Sequence, residues 1–344
     1  MKTIVSVQEI SEFEIKPRAA LAEWRALVDA EIASRWADRA RWLRIDCPAC
    51  GSADSRPAFE KSGLAYAECR SCGTLYAPSR PAEEELRAWY RESTPARFWR
   101  ERLLPASDAA RSEKIVSPRA YWVLDGIAEY VPGARRLIDL SPFGRALLDL
   151  VAGSAPSLTE LTAAGITADL DGVADSRLKI HPARVADLPT LGPADVVVAI
   201  DVLDRAADLR ALVRSLERTL AAGGVLFATA PVASGFEIQT LWDRSPTILP
   251  PDKLNLPTVD GLLRLFSAPV WEVLELSTPG MFDVETVHQA MRADPEAPWP
   301  RVARALVEAQ DPAGRTALVE YLQSRRRTSF ARLVARKKKP DASE

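Results

Sequence analysis

Four cysteines constrain this chain more than any other feature of it. They stand in CPACG and CRSCG as Cys47, Cys50, Cys69 and Cys72, and the chain has no others. Each CxxC loop can aim two thiolates at one point. Two such loops, separated by 18 residues, complete a tetrahedral S4 shell suited to Zn2+. Gly51 and Gly73 follow the second cysteine of each pair, where a tight turn needs conformational freedom. Two disulfides are the alternative, and the reduced state of cytoplasmic thiols speaks against it. Four protein ligands leave no open coordination position, so the expected metal is structural. A ribbon without a core of its own draws much of its folding energy from that metal.

The rest of the composition is that of an ordinary globular protein: 344 residues, 47% hydrophobic, 27% charged, formal net charge −2. Such a length suits one large domain and a smaller one. No apolar run approaches the roughly 18 residues of a membrane span. The opening MKTIVSVQEISEFEIK carries glutamates where a signal peptide would be apolar throughout. The cytoplasm is therefore the expected compartment, with no membrane partner. Arg325, Arg326, Arg327 and Lys337 to Lys339 make the C-terminal end locally basic. Without a bulk basic excess, such runs read as solvated surface rather than as a nucleic-acid site.

Residues 1–44 are expected to be a helical segment, with Leu21, Trp24, Val28, Ile32, Trp36 and Leu43 near helical spacing over 18–44. The zinc ribbon follows over 45–80, and 81–132 reads as a helical, aromatic connector opened by PAEEELRAWYRES, with acids in the first turn of its helix. From VPGARR onward the pattern alternates strand and helix. RRLIDLS, SLTEL, ADVVVAIDV, GVLFATAP, VWEVLELSTPG and SFARLVARK are the strand candidates. FGRALLDLVAG, DLRALVRSLERTL and TVDGLLRLFSA are helices between them, and Gly223 and Gly224 are expected to end the second of these. ADVVVAIDV has the continuous apolar run of a strand buried on both faces. The alternation predicts an α/β domain over 133–340, an open, mostly parallel sheet with helices on both faces and a helical insertion at about 291–324.

These residues carry a resemblance. An apolar strand ending in Asp, a turn and a helix, then DVVVAIDVLD and AAGGVLFATAP, is similar to class I S-adenosylmethionine (SAM)-dependent methyltransferases. CPACG with CRSCGTLYAPSRP, PDKLNLPTVDGLL and ELSTPGMFDVETV resembles bacterial methyltransferases with an N-terminal zinc ribbon. The likeness covers roughly residues 45 to 290 and, through QSRRRTSFARLVARK, the C-terminal strand. It implies a Rossmann-like seven-stranded sheet whose last strand is antiparallel. SAM would bind at the C-terminal strand ends, beside a small-molecule acceptor such as a sugar or another small metabolite, here a surface-glycan or secondary-metabolite precursor.

Carried over residue by residue, Asp139 matches the acid that ends the first strand. In the glycine-rich turn beyond it, Ser141, Pro142, Phe143 and Arg145 replace small residues, and Gly144 stands one position from the usual glycines. Proline removes an N–H, and phenylalanine puts a ring where ligand passes. Glu160 is the candidate for the acid that bonds both ribose hydroxyls at the end of the second strand. Asp187 matches the acid near the adenine amino group, with turn capping as the alternative. Asp201 and Asp204 fall at the end of the fourth strand. Arg205 occupies a position where relatives carry His, which removes the side chain best suited to take a proton at neutral pH. Lys253 replaces a loop histidine and is a candidate anion ligand or base. Asn255 and Asp283 are the candidate substrate contacts.

Two functions of different class follow. In one, SAM is held by Asp139, Ser141, Gly144, Glu160 and Asp187, and Asp201 or Lys253 serves as base for methyl transfer. In the other, the scaffold has lost SAM and works as a binding subunit for a protein partner. The SPFG turn favours the second, and retention of Glu160, Asp187 and the PDKLN and STPGMFD loops favours the first.

Overall fold

The structure, a computed structural model, describes residues 1–5, 15, 17–142, 146–165, 176–181, 183–308 and 310–340. Helix α1 (Arg18–Arg35) buries Leu21, Trp24, Val28 and Ile32 at the spacing read from the sequence. Five short strands follow: β1 (Leu43–Arg44), β2 (Ser55–Lys61), β3 (Leu64–Cys69), β4 (Leu75–Tyr76) and β5 (Ser79–Arg80). Strands β2, β3 and β4 form an antiparallel meander, and β1 pairs with β5.

Helices α2 (Glu83–Glu92), α3 (Thr94–Phe98), α4 (Leu104–Arg111) and α5 (Ser117–Tyr130) come next. The turns before α4 and α5, Trp99–Leu103 and Ser112–Val116, are π-helical. Each lies ahead of a proline in the first turn of the next helix. A proline ring clashes with the carbonyl four residues back and donates no N–H, so the backbone opens by one residue there.

The main domain comprises β6 (Arg136–Asp139), α6 (Ala146–Ser154), β7 (Glu160–Ala163), β8 (Leu178–Ile180), β9 (Ala194–Ala199), α7 (Leu209–Thr219), β10 (Leu220–Pro231), α8 (Phe236–Leu241), β11 (Asn255–Leu256), α9 (Val259–Leu265), β12 (Trp271–Ser277), α10 (Asp283–Ala293), α11 (Arg301–Val307), α12 (Pro312–Ser324) and β13 (Phe330–Lys337). Seven strands form one sheet in the order β12-β13-β10-β9-β6-β7-β8. Strands β8 to β6, β9 and β10 pair in parallel, and β13 is antiparallel to both β10 and β12. The expected α/β architecture with an antiparallel last strand is therefore present. The chain leaves β6 outward to β7 and β8, then returns to β9 on the other side of β6. That reversal is the topological switch point at which ligands bind in such sheets, outside the C-terminal strand ends.

Val196, Val197 and Val198 of β9 are all fully buried, because one core packs on each face. Leu209, Leu212 and Leu216 of α7 cover one face with Leu262 of α9. Trp122, Val123 and Ile127 of α5 and Leu147, Leu148 and Val151 of α6 cover the other. Among the described residues no helix is long and apolar enough to cross a membrane.

Two local expectations change. Helix α7 ends at Thr219, and Gly223 and Gly224 belong to β10, which joins α7 directly. The second strand begins at Glu160 rather than ending near it, because its buried residues are Leu161, Thr162 and Ala163.

The ribbon is not self-contained. Strand β11 pairs with β4 and completes a four-stranded sheet, β11-β4-β3-β2. At this junction Arg80 is fully buried. Its guanidinium donates to the carbonyls of Ala77 (2.6 Å), Ala206 (3.3 Å), Ala207 (3.4 Å) and Leu254 (2.9 Å), and to Oδ1 of Asn255 (2.6 Å). Burial pulls its pKa down to about 9. A lysine cannot serve five acceptors from one nitrogen. Both Arg80→Lys and Arg80→Met are expected to lose about 3 kcal/mol or more in urea unfolding, because buried carbonyls are left unpaired. A loss below about 1 kcal/mol would show that the clamp is dispensable.

Candidate functional site

The four cysteine sulfurs lie within 4.8 Å of one another. Cys47 and Cys72 are 3.6 Å apart, and so are Cys50 and Cys69. A disulfide needs about 2.05 Å. Tetrahedral zinc with Zn–S near 2.3 Å sets sulfurs about 3.8 Å apart, so the geometry fits the metal and the disulfide alternative falls. The knuckles take their shape from glycine: Gly51 has φ 78° and Gly73 φ 70°, and each donates its N–H to the carbonyl of the first cysteine of its pair. Bonding within the set splits the thiols. A hydrogen bond with Cys47 lowers the pKa of Cys72, while that of Cys47 rises. The main domain also touches the metal loop, since Thr258 Oγ1 donates 2.6 Å to the Cys72 carbonyl while capping α9.

At the C-terminal end of β6, Asp139 is buried, and its carboxylate accepts from Ser141 N (2.9 Å) and Ser141 Oγ (2.6 Å). Burial pushes its pKa up to about 6, against the pull of both Ser141 bonds. Gly144 lies outside the described residues. Glu160 is the first residue of β7, in register with Arg136 at the start of β6 and ion-paired to it at 3.6 Å on the surface. It therefore stands at the opposite end of the sheet from Asp139 and cannot meet a ribose bound at the C-terminal ends. The end of β7 is Ala163, with Ala164 and Gly165 beyond it, and carries no carboxylate among the described residues. Asp187 is exposed in a 3-10 turn, Val185–Leu191, where its carbonyl accepts from Thr190 Oγ1 at 2.7 Å. That bond uses the main-chain carbonyl, and the turn, whose N-cap is Arg184, has no side-chain capping bond.

Asp201 follows β9 with φ 56°, a backbone conformation that aspartate tolerates better than most residues. Its carboxylate meets Arg119 Nη1 at 2.8 Å and Thr229 Oγ1 at 3.1 Å. Burial alone would raise its pKa, but Arg119, Lys253 and Arg205 outweigh burial and hold it well below the usual carboxylate range. A carboxylate so held accepts no proton at neutral pH, so the expectation of a base at Asp201 is corrected. Lys253 is ion-paired to the fully buried Asp204, and Arg205 pairs with Asp252 at 3.0 Å. The lysine is thus a counter-ion rather than a free base. Asn255 is fully buried, accepting from Arg80 and donating to the carbonyls of Leu203 (2.9 Å) and Ala206 (2.8 Å). Asp283 is buried too, its Oδ1 accepting from Ser329 N (2.7 Å) and Glu237 N (3.2 Å). Both expected substrate contacts are spent inside the fold.

The sequence reading missed Arg119 and Arg332. Arg119 precedes Trp122 by one helical turn in a segment whose aromatics drew attention instead. Arg332 interrupts the apolar alternation of β13, and that was the one available signal.

No family model matches the chain, and no curated protein matches it. Solved structures do. The plantazolicin methyltransferase BpumL in complex with SAH is 9% identical, with TM-score 0.41 over 75% of this chain and 95% of that one. The 4+2 cyclase SpnF is 18% identical, with TM-score 0.37 over 64% and 81%. Coclaurine N-methyltransferase bound to N-methylheliamine and SAH is 12% identical, with TM-score 0.37 over 63% and 72%. At such values the fold assignment rests on the strand order itself.

Two measurements check the site. Elemental analysis of purified protein is expected to find one zinc per chain. Because β11 and Thr258 join the ribbon to the main domain, removing zinc is expected to lower a single cooperative calorimetric transition. A separate small transition for the ribbon would refute that coupling. Asp139 titrates at 3.8 when unfolded and near 6 when folded, so its contribution to stability is full below the first value and lost as pH rises through the second. Relative to Asp139→Asn, the wild type is expected to lose about 3 kcal/mol across that window and nothing more above it.

Proposed function

We propose that this chain transfers a methyl group from SAM to a small-molecule acceptor held at the C-terminal ends of β6, β9 and β10. The observation that carries the reading is the strand order β12-β13-β10-β9-β6-β7-β8 with β13 antiparallel, opened by a strand that ends in buried Asp139. The residues present fit the donor at β6, where Asp139 orders the Ser141 turn through two hydrogen bonds. At β7 they supply no ribose-binding acid among the described residues. When bound, SAM supplies an intrinsically reactive methyl sulfonium. The protein's part is then alignment and exclusion of water rather than strong acid–base chemistry. That division suits a site whose carboxylates are already paired: Asp201 with Arg119 and Thr229, and Asp204 with Lys253. Such a site favours acceptors that need no strong base, such as amines, thiols or groups already ionised.

A second reading is a scaffold without SAM, working through a partner. It is favoured by the way α2 is clamped over the loop beyond β8. Glu83 Oε1 accepts from Val185 N at 2.9 Å, and Arg87 Nη1 donates to the Ala183 carbonyl at 2.8 Å.

Calorimetric titration of zinc-loaded protein with SAM and S-adenosylhomocysteine separates the two. Micromolar binding is expected, weakened by Asp139→Ala and unchanged by Glu160→Ala. No heat at millimolar ligand, from protein that still melts cooperatively, would end the methyl-transfer reading.

A further inference from the structure

On the face of the sheet covered by α5, a charged wall stands at the C-terminal edge. Arg332 of β13 is in register with Thr229 of β10 on one side and Ser277 of β12 on the other. Thr229 holds Asp201, and Asp201 holds Arg119. Each guanidinium lies over an aromatic ring: the Arg119 carbon is 5.5 Å from the Phe330 centroid and that of Arg332 is 5.3 Å from the Trp122 centroid. A ring beneath a guanidinium holds it by cation–π attraction while leaving its N–H groups to bond elsewhere.

The acids of this wall are already engaged. Asp201 has Arg119 and Thr229. Glu275 accepts from Trp122 Nε1 and Ser277 Oγ, each at 3.2 Å. Among the described residues Arg332 makes no ion pair within 4.0 Å, and its buried Nε has no hydrogen-bond partner. The hydroxyl of Thr278, which follows Ser277 in the chain, is buried and lacks a partner as well. Burial and the adjacent Arg119 charge weigh against the Arg332 cation more than Glu275 supports it, and its pKa falls to about 10. A largely desolvated cation with no anion in contact is costly to keep unless something answers it.

We propose that Arg332, with Arg119 beside it, receives a carboxylate or phosphate group of the small-molecule acceptor. The planar N–H fork matches either group bidentately, and the wall lies at the sheet edge where ligands bind. That the anion belongs to a methyl acceptor rests on the methyl-transfer reading, whereas the anion site itself does not.

The test is calorimetric titration of the zinc-loaded full chain with glutarate and with inorganic phosphate at fixed ionic strength, with SAM titrated separately. Saturable binding of at least one anion is expected. Arg332→Gln should weaken it by about tenfold or more. Arg336→Gln, on the same strand as Arg332 but paired with the exposed Glu272 of β12, should leave it unchanged. If Arg332→Gln does not fold, Arg332→Lys keeps the charge without the fork and should still bind more weakly than wild type. Absence of saturable binding, or equal affinity after loss of Arg332, overturns the proposal. Competition between glutarate and SAM also overturns it, since the pocket would then hold the donor's own carboxylate. Anion binding without SAM binding leaves the pocket standing and removes the methyl-transfer reading. SAM binding without anion binding does the reverse.

Discussion

A guanidinium removed from water has to find several oxygen acceptors in fixed directions, and Arg80 finds them on two parts of the chain at once. Its partners are Ala77 in the ribbon, Ala206 and Ala207 after β9, and Leu254 and Asn255 beside β11. Desolvating such a cation costs several kcal/mol unless every donor is used, so the arrangement tolerates little displacement of either part. The loop carrying Lys253 and the segment carrying Asp204 are held through these same bonds. Tyr66 of β3 adds a hydrogen bond from its hydroxyl to the Lys253 carbonyl, at 2.8 Å. The metal ribbon therefore braces one wall of the C-terminal sheet edge.

The charges along that edge have been matched to one another. Asp201 and Arg119, Asp204 and Lys253, and Asp252 and Arg205 each satisfy a partner across a loop or helix. In such pairs the nearby cations favour the ionised acid, and at Asp201 they outweigh burial. A reaction that needs only alignment can use such a site. One that depends on a general base of ordinary pKa cannot draw on Asp201. Arg332 differs from the rest in being stacked rather than paired, and that makes it the point where an incoming anion gains most.

The zinc ligands, the apolar run of β9, the stripe of α1 and the alternation of the main domain were all legible in the residues. Each is a local property: two CxxC spacings, three buried valines, a 3.6-residue stripe. The site was far less legible. Glu160 was read as ending its strand because acids end such strands, yet burial of Leu161, Thr162 and Ala163 moved the strand past it. A strand's ends are decided by which residues its neighbours cover, and those neighbours are distant in the chain. Asn255 and Asp283 lie in loops that suggest ligand contact, but each is drawn inward by backbone donors and acceptors from segments far away in the chain.

By itself, the sequence determined the metal chemistry and the fold class, because sulfur spacing and hydrophobic period act over a few residues; the antiparallel last strand was implied by the family resemblance alone. Tertiary structure alone decided which charges are free. Asp201, Lys253, Asn255 and Arg332 look equally available in one dimension. Their partners are 82, 49, 175 and 210 positions away for Arg119, Asp204, Arg80 and Trp122 respectively, and only folding brings those groups within reach.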